Sequence, residues 1–261
     1  MHLIHCILDA EGNLCCFHIQ SGIDRTVEGP YNAPSEVGAL NEKPLHAALK
    51  EWYAREDDRL EVVVDGYIID IVRDDLLIEV QTRNFAALKH KLTRLTAHHP
   101  VRLVYPIAQD KWIVRLAHDG PGTLSRRRSP KRGTVDQVFH ELVHLPRLFS
   151  TGNFSLHVLL IQEEELRHYD RKKGWRRRGW VTHERRLLQV VDQRLFGAPA
   201  DLAALLPQAL DETFCAADLA SAMGQSIRLA GQMAYCLREM GAIRRVGKRG
   251  NALLYARGQD G

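Results

Sequence analysis

The stretch "DGYIIDIVRDDLLIEVQT", residues 65–82, holds two apolar runs separated by a charged turn, and each run carries one carboxylate, Asp70 or Glu79. If Asp74 and Asp75 form a two-residue turn, the runs pair as antiparallel strands and Asp70 lies directly opposite Glu79. Side chains opposed in this way have Cβ atoms about 4.5–5.5 Å apart, and like charges at that separation repel each other. The pattern therefore predicts a compensating positive charge at this hairpin.

Alternation of side chains along a strand places Asp70 and Glu79 on one face of the hairpin. It sends the neighbouring apolar residues to the other face; these are Ile69, Ile71, Ile78 and Val80. Two carboxylates on one side of a strand pair are suitable ligands for a hard divalent cation such as Mg²⁺ or Mn²⁺. The alternative is that both acids are solvated on an edge hairpin.

The segments around the hairpin predict an α/β (α+β) fold. Apolar residues recur at helical spacing in residues 44–54 and 84–99. The β-rich runs are 60–72, 76–80, 101–107 and 111–117. The order of elements predicts a mixed sheet flanked by helices.

Residues 41–117, with Asp70 and then Glu79-Val80-Gln81, resemble the PD-(D/E)XK nuclease superfamily. The resemblance implies a restriction-endonuclease-like fold in which the acids bind Mg²⁺ or Mn²⁺ beside the scissile phosphate. It also implies that the backbone carbonyl of Val80 contributes to the metal site. The expected metal ligands are therefore Glu42, Asp70, Glu79 and Val80.

Glu42 is chosen as the helix acid because it extrapolates to the edge of the apolar stripe of the first helix, whereas Glu51 falls on the opposite side. A first-turn acid that only favours the helix dipole is the alternative reading of Glu42. Asp65 is a secondary candidate for the strand acid, since Gly66 can accompany a bulge that changes the face of Asp65.

Gln81 stands where the resembled family usually has a lysine. A glutamine amide can donate and accept hydrogen bonds, so Gln81 is expected to orient a water molecule. A metal-bound water needs less help from a separate base. The missing cation is expected from the next helix, with Lys89 preferred over Lys91 and Arg83; the predicted catalytic set is Asp70, Glu79, Gln81 and Lys89.

The charge distribution predicts a polyanionic partner. Residues 1–119 carry a net charge of −5, residues 120–185 of +7 and residues 186–261 of +2. The middle region is expected to be basic and mainly helical, with tryptophans among its arginines that can stack on bases. The predicted nucleic-acid contacts there are Arg126, Arg127, Arg128, Lys172, Lys173, Trp175, Arg176, Arg177 and Arg178.

Residues 212–257 resemble a winged helix-turn-helix: a helix that ends at Gly224, a second helix capped by Ser226, and a hairpin. In that family the second helix enters the major groove and the wing touches the backbone. The resemblance implies nucleic-acid contacts from Gln225, Ser226, Arg228, Gln232, Arg244, Arg245, Lys248 and Arg249. A protein-interaction module is the alternative.

Two short metal-like patterns compete with the nuclease reading. The N-terminal set Cys6, Cys15, Cys16 and His18 suggests zinc, but it lacks paired C-x-x-C spacing. The segment "HELVH", residues 140–144, matches the five-residue zinc-protease pattern, but no third ligand is evident and Pro146 follows closely.

No apolar run approaches the roughly 18–20 residues of a membrane span, and the start lacks the features of a signal peptide. A cytoplasmic protein without membrane contact is expected. The predicted domains are 1–119 (nuclease-like, metal-binding), 120–198 (basic, mainly helical) and 199–261 (winged helix-turn-helix).

The functional hypothesis is a Mg²⁺- or Mn²⁺-dependent DNA endonuclease or related phosphodiesterase, with RNA and a homodimer left open. The alternative is a non-catalytic DNA-binding or regulatory protein on a degenerate nuclease scaffold.

Overall fold

The computed structural model describes residues 43–117, 122–170, 172 and 179–258, together with the backbone of residues 5–8 and 14–17. The chain forms two compact units, Met1–Leu40 and Asn41–Gly261. In the first, strands β1 (His5–Leu8) and β2 (Leu14–Phe17) pair antiparallel. The predicted zinc ligands Cys6, Cys15, Cys16 and His18 have side chains outside the described residues.

The second unit contains six α-helices among its described residues, and their bounds follow. They are α1 (Pro44–Tyr53), α2 (Phe85–Leu95), α3 (Phe139–Leu142), α4 (Pro199–Ala203), α5 (Ala216–Met223) and α6 (Ile227–Glu239). Two 3₁₀ turns, Val135–Val138 and Pro146–Thr151, flank α3. In the parts of the chain that the structure describes, no helix is both long and apolar enough to cross a bilayer.

The strands of the second unit form two sheets. Their bounds are β3 (Arg59–Val64), β4 (Tyr67–Arg73), β5 (Leu76–Val80), β6 (Val101–Leu116), β7 (Thr123–Arg128), β8 (Phe154–Tyr169), β9 (Trp180–Phe196), β10 (Thr213–Phe214), β11 (Ile243–Arg249) and β12 (Ala252–Arg257). The large sheet has seven strands in the order β3-β4-β5-β6-β8-β9, with β7 paired to β6. β5, β6 and β8 run parallel, and the other neighbours run antiparallel. This mixed sheet flanked by helices confirms the predicted fold class.

Hydrophobic residues pack on both faces of the large sheet. The α1 face is formed by residues such as Leu49 of the helix and Ile78 and Val104 of the sheet. On the other face, Leu92 of α2 and Leu103 of β6 belong to a larger cluster. This larger cluster continues into the C-terminal helices through residues such as Leu219, Leu229 and Met233, so one face of the large sheet and the C-terminal helices share a core.

The run 60–72, read as one β-rich segment, is two strands that turn at Asp65-Gly66. Both turn residues have positive φ, 50° for Asp65 and 80° for Gly66. A two-residue hairpin turn with positive φ at both positions favours Asp-Gly. Conversely, residues 101–107 and 111–117 belong to the one long strand β6, which has a register shift against β8 between Ala108 and Asp110.

The prediction of a mainly helical middle region is wrong. Residues 123–128 form β7 along β6, and residues 180–196 form β9 rather than a helix. β9 has three register shifts against β8, and each inserts one extra residue. Leu187 and Val190 consequently both face the α1 cluster three positions apart, a spacing that imitates a helix.

The C-terminal module, residues 199–258, contains a small sheet of order β10-β12-β11 next to α5 and α6. Gly224 ends α5 with a φ of 61°, and the Ser226 hydroxyl accepts a hydrogen bond from the Leu229 N–H at the start of α6. Both predicted helices and the hairpin are confirmed. Leu229, Met233, Leu237 and Leu219 are buried, whereas Leu254 is half-buried.

Candidate active site

The hairpin β4–β5 has the register that the two-residue turn predicted. Arg73 pairs with Leu76, Val72 with Leu77 and Ile71 with Ile78. The regular ladder ends there, one pair before Asp70 and Glu79. Beyond it, the Asp70 Oδ2 atom accepts a hydrogen bond from the Val80 backbone N–H at 2.8 Å.

The alternation of side chains along β4 breaks at Asp70. Ile69 belongs to the cluster on the α2 face and Ile71 to the cluster on the α1 face, so the prediction that they share a face is wrong. Opposite Asp70, Glu61 of β3 has a φ of 53°, and the ladder pairs on either side of it are Leu60–Ile71 and Val62–Ile69. A left-handed residue in mid-strand interrupts the pleat, which explains the change of face.

As a result, Asp70 faces the basic side of α1. The His46 Nε2 atom lies 3.4 Å from Asp70 Oδ2, and the Lys50 Nζ atom lies 4.0 Å from Asp70 Oδ1. Lys50, although buried, also pairs with Glu61 at 2.7 Å. Burial raises the pKa of Asp70, but the hydrogen bonds from His46 and the Val80 N–H and the charges of His46 and Lys50 outweigh it, so that this pKa lies below its usual value.

Glu79 is only 5% exposed and faces α2, whereas Asp70 faces α1, so the prediction that the two acids project from one face of the hairpin is wrong. The Lys91 Nζ atom donates to Glu79 Oε1 at 2.5 Å and to the Ile68 carbonyl at 2.6 Å. Burial and the negative charge of Asp70 raise the pKa of Glu79 to about 7, and Lys91 offsets only part of this effect. One group of a close acid pair therefore changes its charge near neutral pH.

The structure corrects the choice of lysine. Lys89 is exposed and lines a surface cavity of about 310 Å³ beside Thr93 and His144, whereas Lys91 contacts Glu79. Gln81 is half-buried, and its Nε2 atom lies 3.5 Å from the Asn84 carbonyl oxygen, a long contact on the side of the following loop.

Sequence reasoning missed His46 and Lys50 on α1. They are four residues apart and flank Leu45 and Leu49, which form the buried stripe of the helix. A histidine and a lysine at i and i+4 beside an apolar stripe were a usable signal, since that spacing places both on one helix face. Glu42, the predicted helix acid, lies outside the described residues.

Donor atoms for a metal converge on one side of this site. His46 Nε2 lies 2.8 Å from the Val80 carbonyl oxygen and 3.4 Å from Asp70 Oδ2. Neighbouring ligands of an octahedral ion with about 2.1 Å bonds are about 3 Å apart, so both distances from His46 Nε2 are close to the spacing of two ligands of one ion. Side chains alone do not supply three ligands. Among the described residues, no group of three His, Cys, Asp or Glu side chains is placed to hold an ion.

The "HELVH" residues do not form a zinc site. The Glu141 carboxylate accepts a hydrogen bond from the Phe85 N–H at the start of α2, at 2.9 Å. His140 Nδ1 lies 2.6 Å from Gln232 Oε1 of α6, and His144 lines the surface cavity of α2. Asp65 pairs with His99 at the tip of its turn, at 3.0 Å, and is not part of the acid pair.

The basic residues of the middle region are only partly available. Arg126 pairs with Glu164 and Arg128 with Asp110, while the whole of β7, including Arg127, is exposed. Lys172 is exposed as well. The other predicted contacts of this region, Lys173, Trp175, Arg176, Arg177 and Arg178, lie outside the described residues.

Glu163 and Glu165 are buried in β8 and carry ion pairs instead of forming part of the acid site. Lys111 of β6 lies 2.9 Å from Glu163 and 3.2 Å from Glu165. Glu163 also receives Arg185 at 2.5 Å, and Glu165 receives Arg167 at 2.8 Å. The role of this acidic run, which the sequence left open, is a buried ion-pair network.

Several predicted nucleic-acid contacts of the C-terminal module have partners within the chain. Gln225 and Gln232 face the segment 134–140 through Thr134 and His140, and the Ser226 hydroxyl caps α6. Arg249 pairs with Asp218. The exposed remainder is Arg228, Arg244, Arg245 and Lys248.

Comparison with known proteins finds one clear relative in Treponema pallidum (strain Nichols), named there as an uncharacterized protein. It is 33% identical over 226 residues, which cover 86% of this chain and 89% of that protein. No solved structure matches the chain. A family model matches residues 43–197, from the start of α1 to the end of β9, so that the acid pair and the three long strands β6, β8 and β9 lie inside it. The chain therefore belongs to the family described as "Domain of unknown function (DUF8091)".

Proposed function

We propose that this protein is a divalent-metal-dependent phosphodiesterase that cleaves the DNA backbone. The observation that carries the proposal is the acid pair at the end of the β4–β5 ladder, in which Glu79 is buried and Asp70 is half-buried. Burial and the negative charge of Asp70 raise the pKa of Glu79 to about 7, and the positive charge of Lys91 compensates this rise only in part. Strongly perturbed carboxylates next to a specific charge partner are typical of functional sites.

A divalent cation would relieve this repulsion. The Asp70 carboxylate, the Val80 carbonyl and the Glu79 carboxylate are the oxygen donors, and Glu42 remains a proposed fourth. His46 adds a nitrogen whose distances to Asp70 and Val80 suit a shared ion. Because imidazole favours Mn²⁺ and later transition metals over Mg²⁺, the proposed site should work at least as well with Mn²⁺.

The bound metal would supply an acidified water and a Lewis acid for the phosphate. The chain itself contributes charge and position. Lys91 holds a positive charge next to Glu79. We propose that this charge also stabilises the negative charge that develops on the phosphate, an effect that is strongest where water is excluded. Gln81 stands one residue beyond β5 and is proposed to orient water with its amide group.

DNA as the substrate is supported by the basic surfaces. β7 presents Arg126, Arg127 and Arg128 along an exposed strand, and Arg244, Arg245 and Lys248 lie exposed on the hairpin of the C-terminal module. We propose that this module is a winged helix and that its hairpin is the wing. Since α6 is held at Gln225 and Gln232, backbone contacts from the hairpin fit better than deep insertion of α6.

A non-catalytic DNA-binding protein is the second candidate, and one observation favours it. Lys91 already neutralises Glu79, and Lys50 and His46 already approach Asp70, so the two acids have cations without any metal. In that case the pair is a structural relic that helps to hold α1 and α2 on the sheet.

The two candidates are separated by a cleavage assay on supercoiled, linear and single-stranded DNA with Mg²⁺ or Mn²⁺. Asp70→Asn and Glu79→Gln are expected to lower the rate by about 100-fold or more, since each removes a proposed ligand. Asp65→Asn is the matched control, because it is an acid of the same hairpin region that pairs with His99 outside the pair. Cleavage that both variants retain would refute the site.

DNA binding is measured separately, by gel shift over a range of salt concentrations. Replacing Arg244, Arg245 and Lys248 by glutamine is expected to lower affinity and flatten the salt dependence, because each phosphate contact releases counterions. Arg249→Gln is the control, since this arginine is held by Asp218. Salt-dependent binding without any cleavage would favour the second candidate.

A further inference from the structure

Strand β9 forms one edge of the large sheet. It is 17 residues long, and among the described residues only β8 pairs with it. Three of its aliphatic side chains are exposed: Leu188 at 43%, Val191 at 36% and Leu195 at 45%. A long exposed edge with apolar side chains is a template for pairing with another strand, and proteins usually protect or use such an edge.

The register with β8 shows which side chains of β9 share a face. Glu184, Arg186, Gln189, Asp192 and Arg194 pair with Leu166, Glu164, Gln162, Leu160 and Val158, respectively. These partners are every second residue of β8, and side chains of a strand alternate. All five β9 residues therefore lie on the same face of the sheet.

These five residues are arranged symmetrically about Gln189. Two extra residues, one on each side of Gln189, are inserted in β9 by the register shifts against β8. Glu184 and Arg186 consequently lie five and three residues before Gln189, and Asp192 and Arg194 lie three and five residues after it. Their charges read minus, plus, neutral, minus, plus, so the strand is complementary to its own reverse.

An antiparallel pair of two β9 strands centred on Gln189 uses this pattern fully. Glu184 would face the partner's Arg194, and Arg186 would face the partner's Asp192. Leu187 and Leu188 would lie opposite the partner's Val191 and the partner's Val190, respectively. Opposite charges and aliphatic pairs directly across two strands each stabilise the pairing.

The charged residues are available for these contacts. Asp192 and Arg194 are exposed, and in the described part of the chain neither forms an ion pair. Glu184 and Arg186 now pair with each other within β9. In a dimer each would exchange that local partner for a cross-strand one.

We propose that the edge of β9 is a homodimer interface, in which two copies of this chain pair antiparallel about Gln189 and join their large sheets. The proposal concerns assembly and does not depend on the proposed function.

Analytical ultracentrifugation of the full chain tests it by charge exchange. Arg186→Asp alone and Asp192→Arg alone each create two like-charge contacts in the dimer, and each is expected to raise the dimer Kd by about 10-fold or more. The double variant Arg186→Asp/Asp192→Arg restores both pairs with reversed sign and is expected to return to the wild-type Kd. Arg59→Asp, at an exposed arginine of β3 on the other edge of the large sheet, is the control.

Folding of each variant is checked by circular dichroism, because Arg186→Asp also loses its contact with Glu184. The second pair, Glu184→Arg with Arg194→Glu, repeats the exchange at other positions. A wild-type protein that stays monomeric at about 100 μM would overturn the proposal. So would a dimer that folded single variants leave intact, or one that neither double variant restores.

A cysteine at the centre of the strand gives an independent readout. Gln189→Cys places two thiols on the proposed two-fold axis, close enough for a disulfide between copies. Arg194→Cys places them about ten residues apart along the paired strands and is the control. We expect oxidation to link the first variant beyond the wild-type level and not the second; equal linkage in both would contradict the proposed register.

Discussion

Two groups of buried carboxylates occupy the same sheet and differ in how well they are compensated. The hairpin acids, Asp70 and Glu79, lie at the end of the β4–β5 ladder. The strand acids, Asp110, Glu163 and Glu165, lie along the middle of β6 and β8. The pKa of Glu79 is raised to about 7. Burial acts in the same direction on Glu165, but hydrogen bonds and cations outweigh it and lower the pKa of Glu165 to about 2.

The number of positive partners explains the difference. Glu165 pairs with the cations Arg167 and Lys111 and accepts a hydrogen bond from the Thr182 hydroxyl. Glu163 pairs with Lys111 and Arg185. Asp110 likewise receives Arg128 and Arg132. Among the described residues, Glu79 by contrast pairs with one cation, Lys91, and has the Asp70 carboxylate as its neighbour.

These two solutions suit different roles. Buried acids that are paired with several cations hold neighbouring strands together, and breaking such a pair leaves an uncompensated buried charge. A buried acid that is short of positive charge is held in place by its surroundings at a cost in stability, which is typical of sites that bind something. The shortage of positive charge supports the hairpin acids as the proposed active site, whereas the strand acids stabilise the fold.

The largest expected effect comes from breaking the strand acids. Glu163→Ala should lower the free energy of unfolding by about 3 kcal/mol, because it leaves Lys111 and Arg185 without their buried carboxylate. Urea denaturation at pH 7 measures this. Glu164→Ala is the control on the same strand, since Glu164 pairs with the half-exposed Arg126, and its loss should stay below about 1 kcal/mol. Equal losses would show that the network contributes no more than a surface pair.

The hairpin acids should respond with the opposite sign. Glu79 has a raised pKa, so its ionisation destabilises the folded protein as pH rises from about 4.5 through about 7. Glu79→Gln removes that ionisation and should raise the free energy of unfolding at pH 8 by about 1–3 kcal/mol. At pH 5 the wild-type group is already protonated when folded, and the difference should be small. Urea unfolding at both pH values tests this, and a variant that is less stable at pH 8 would contradict it.

A two-residue turn fixes register, so counting outward from Asp74-Asp75 predicts the three observed pairs, which end at Ile71–Ile78. The same count brings Asp70 and Glu79 near each other, but it could not show that Asp70 faces α1 and Glu79 faces α2. The lysine could not be fixed in this way. Lys89 and Lys91 are about 200° apart around α2, and both border its apolar stripe, so only the packing of α2 on the sheet decides between them. The side chain of Asp70 faces α1 because Glu61 in the neighbouring strand has a left-handed backbone conformation, and no local sequence pattern predicts that conformation.

The fold shows the same division. Helices α5 and α6 could be predicted because Gly224 and Ser226 mark their ends locally. β9 could not be predicted in this way. Each register shift inserts an extra residue, so side chains on one face of β9 recur about every third residue in places instead of every second, which resembles the spacing of a helix. Its partner β8 is also separated from it by the loop that follows Tyr169, so the pairing is not a tight-turn hairpin.

A smaller, acid-dependent effect is expected at Glu165. The folded pKa is depressed, so this group stabilises the protein above about pH 4.5, and the contribution is lost as pH falls towards about 2. Glu165→Gln should therefore cost about 2 kcal/mol at pH 7 and progressively less below pH 4.5. Thermal unfolding at pH 7, 4 and 2.5 follows the trend. A gap between variant and wild type that does not narrow with acid would contradict the ion-pair explanation.

The smallest effect distinguishes the two lysines of α2. Lys91→Gln removes the cation from Glu79 and should raise the pKa of that carboxyl further, by about one unit, because only Lys91 opposes the effects of burial and Asp70 through its charge. Lys89→Gln should leave the pKa unchanged, since Lys89 is exposed on another side of the helix. Titration of ¹³C-labelled glutamate carboxyls by NMR reports both. A shift in the Lys89 variant would place that side chain nearer the acids than its exposure allows, whereas a shift confined to the Lys91 variant would fix α2 as the source of the charge that Gln81 does not carry.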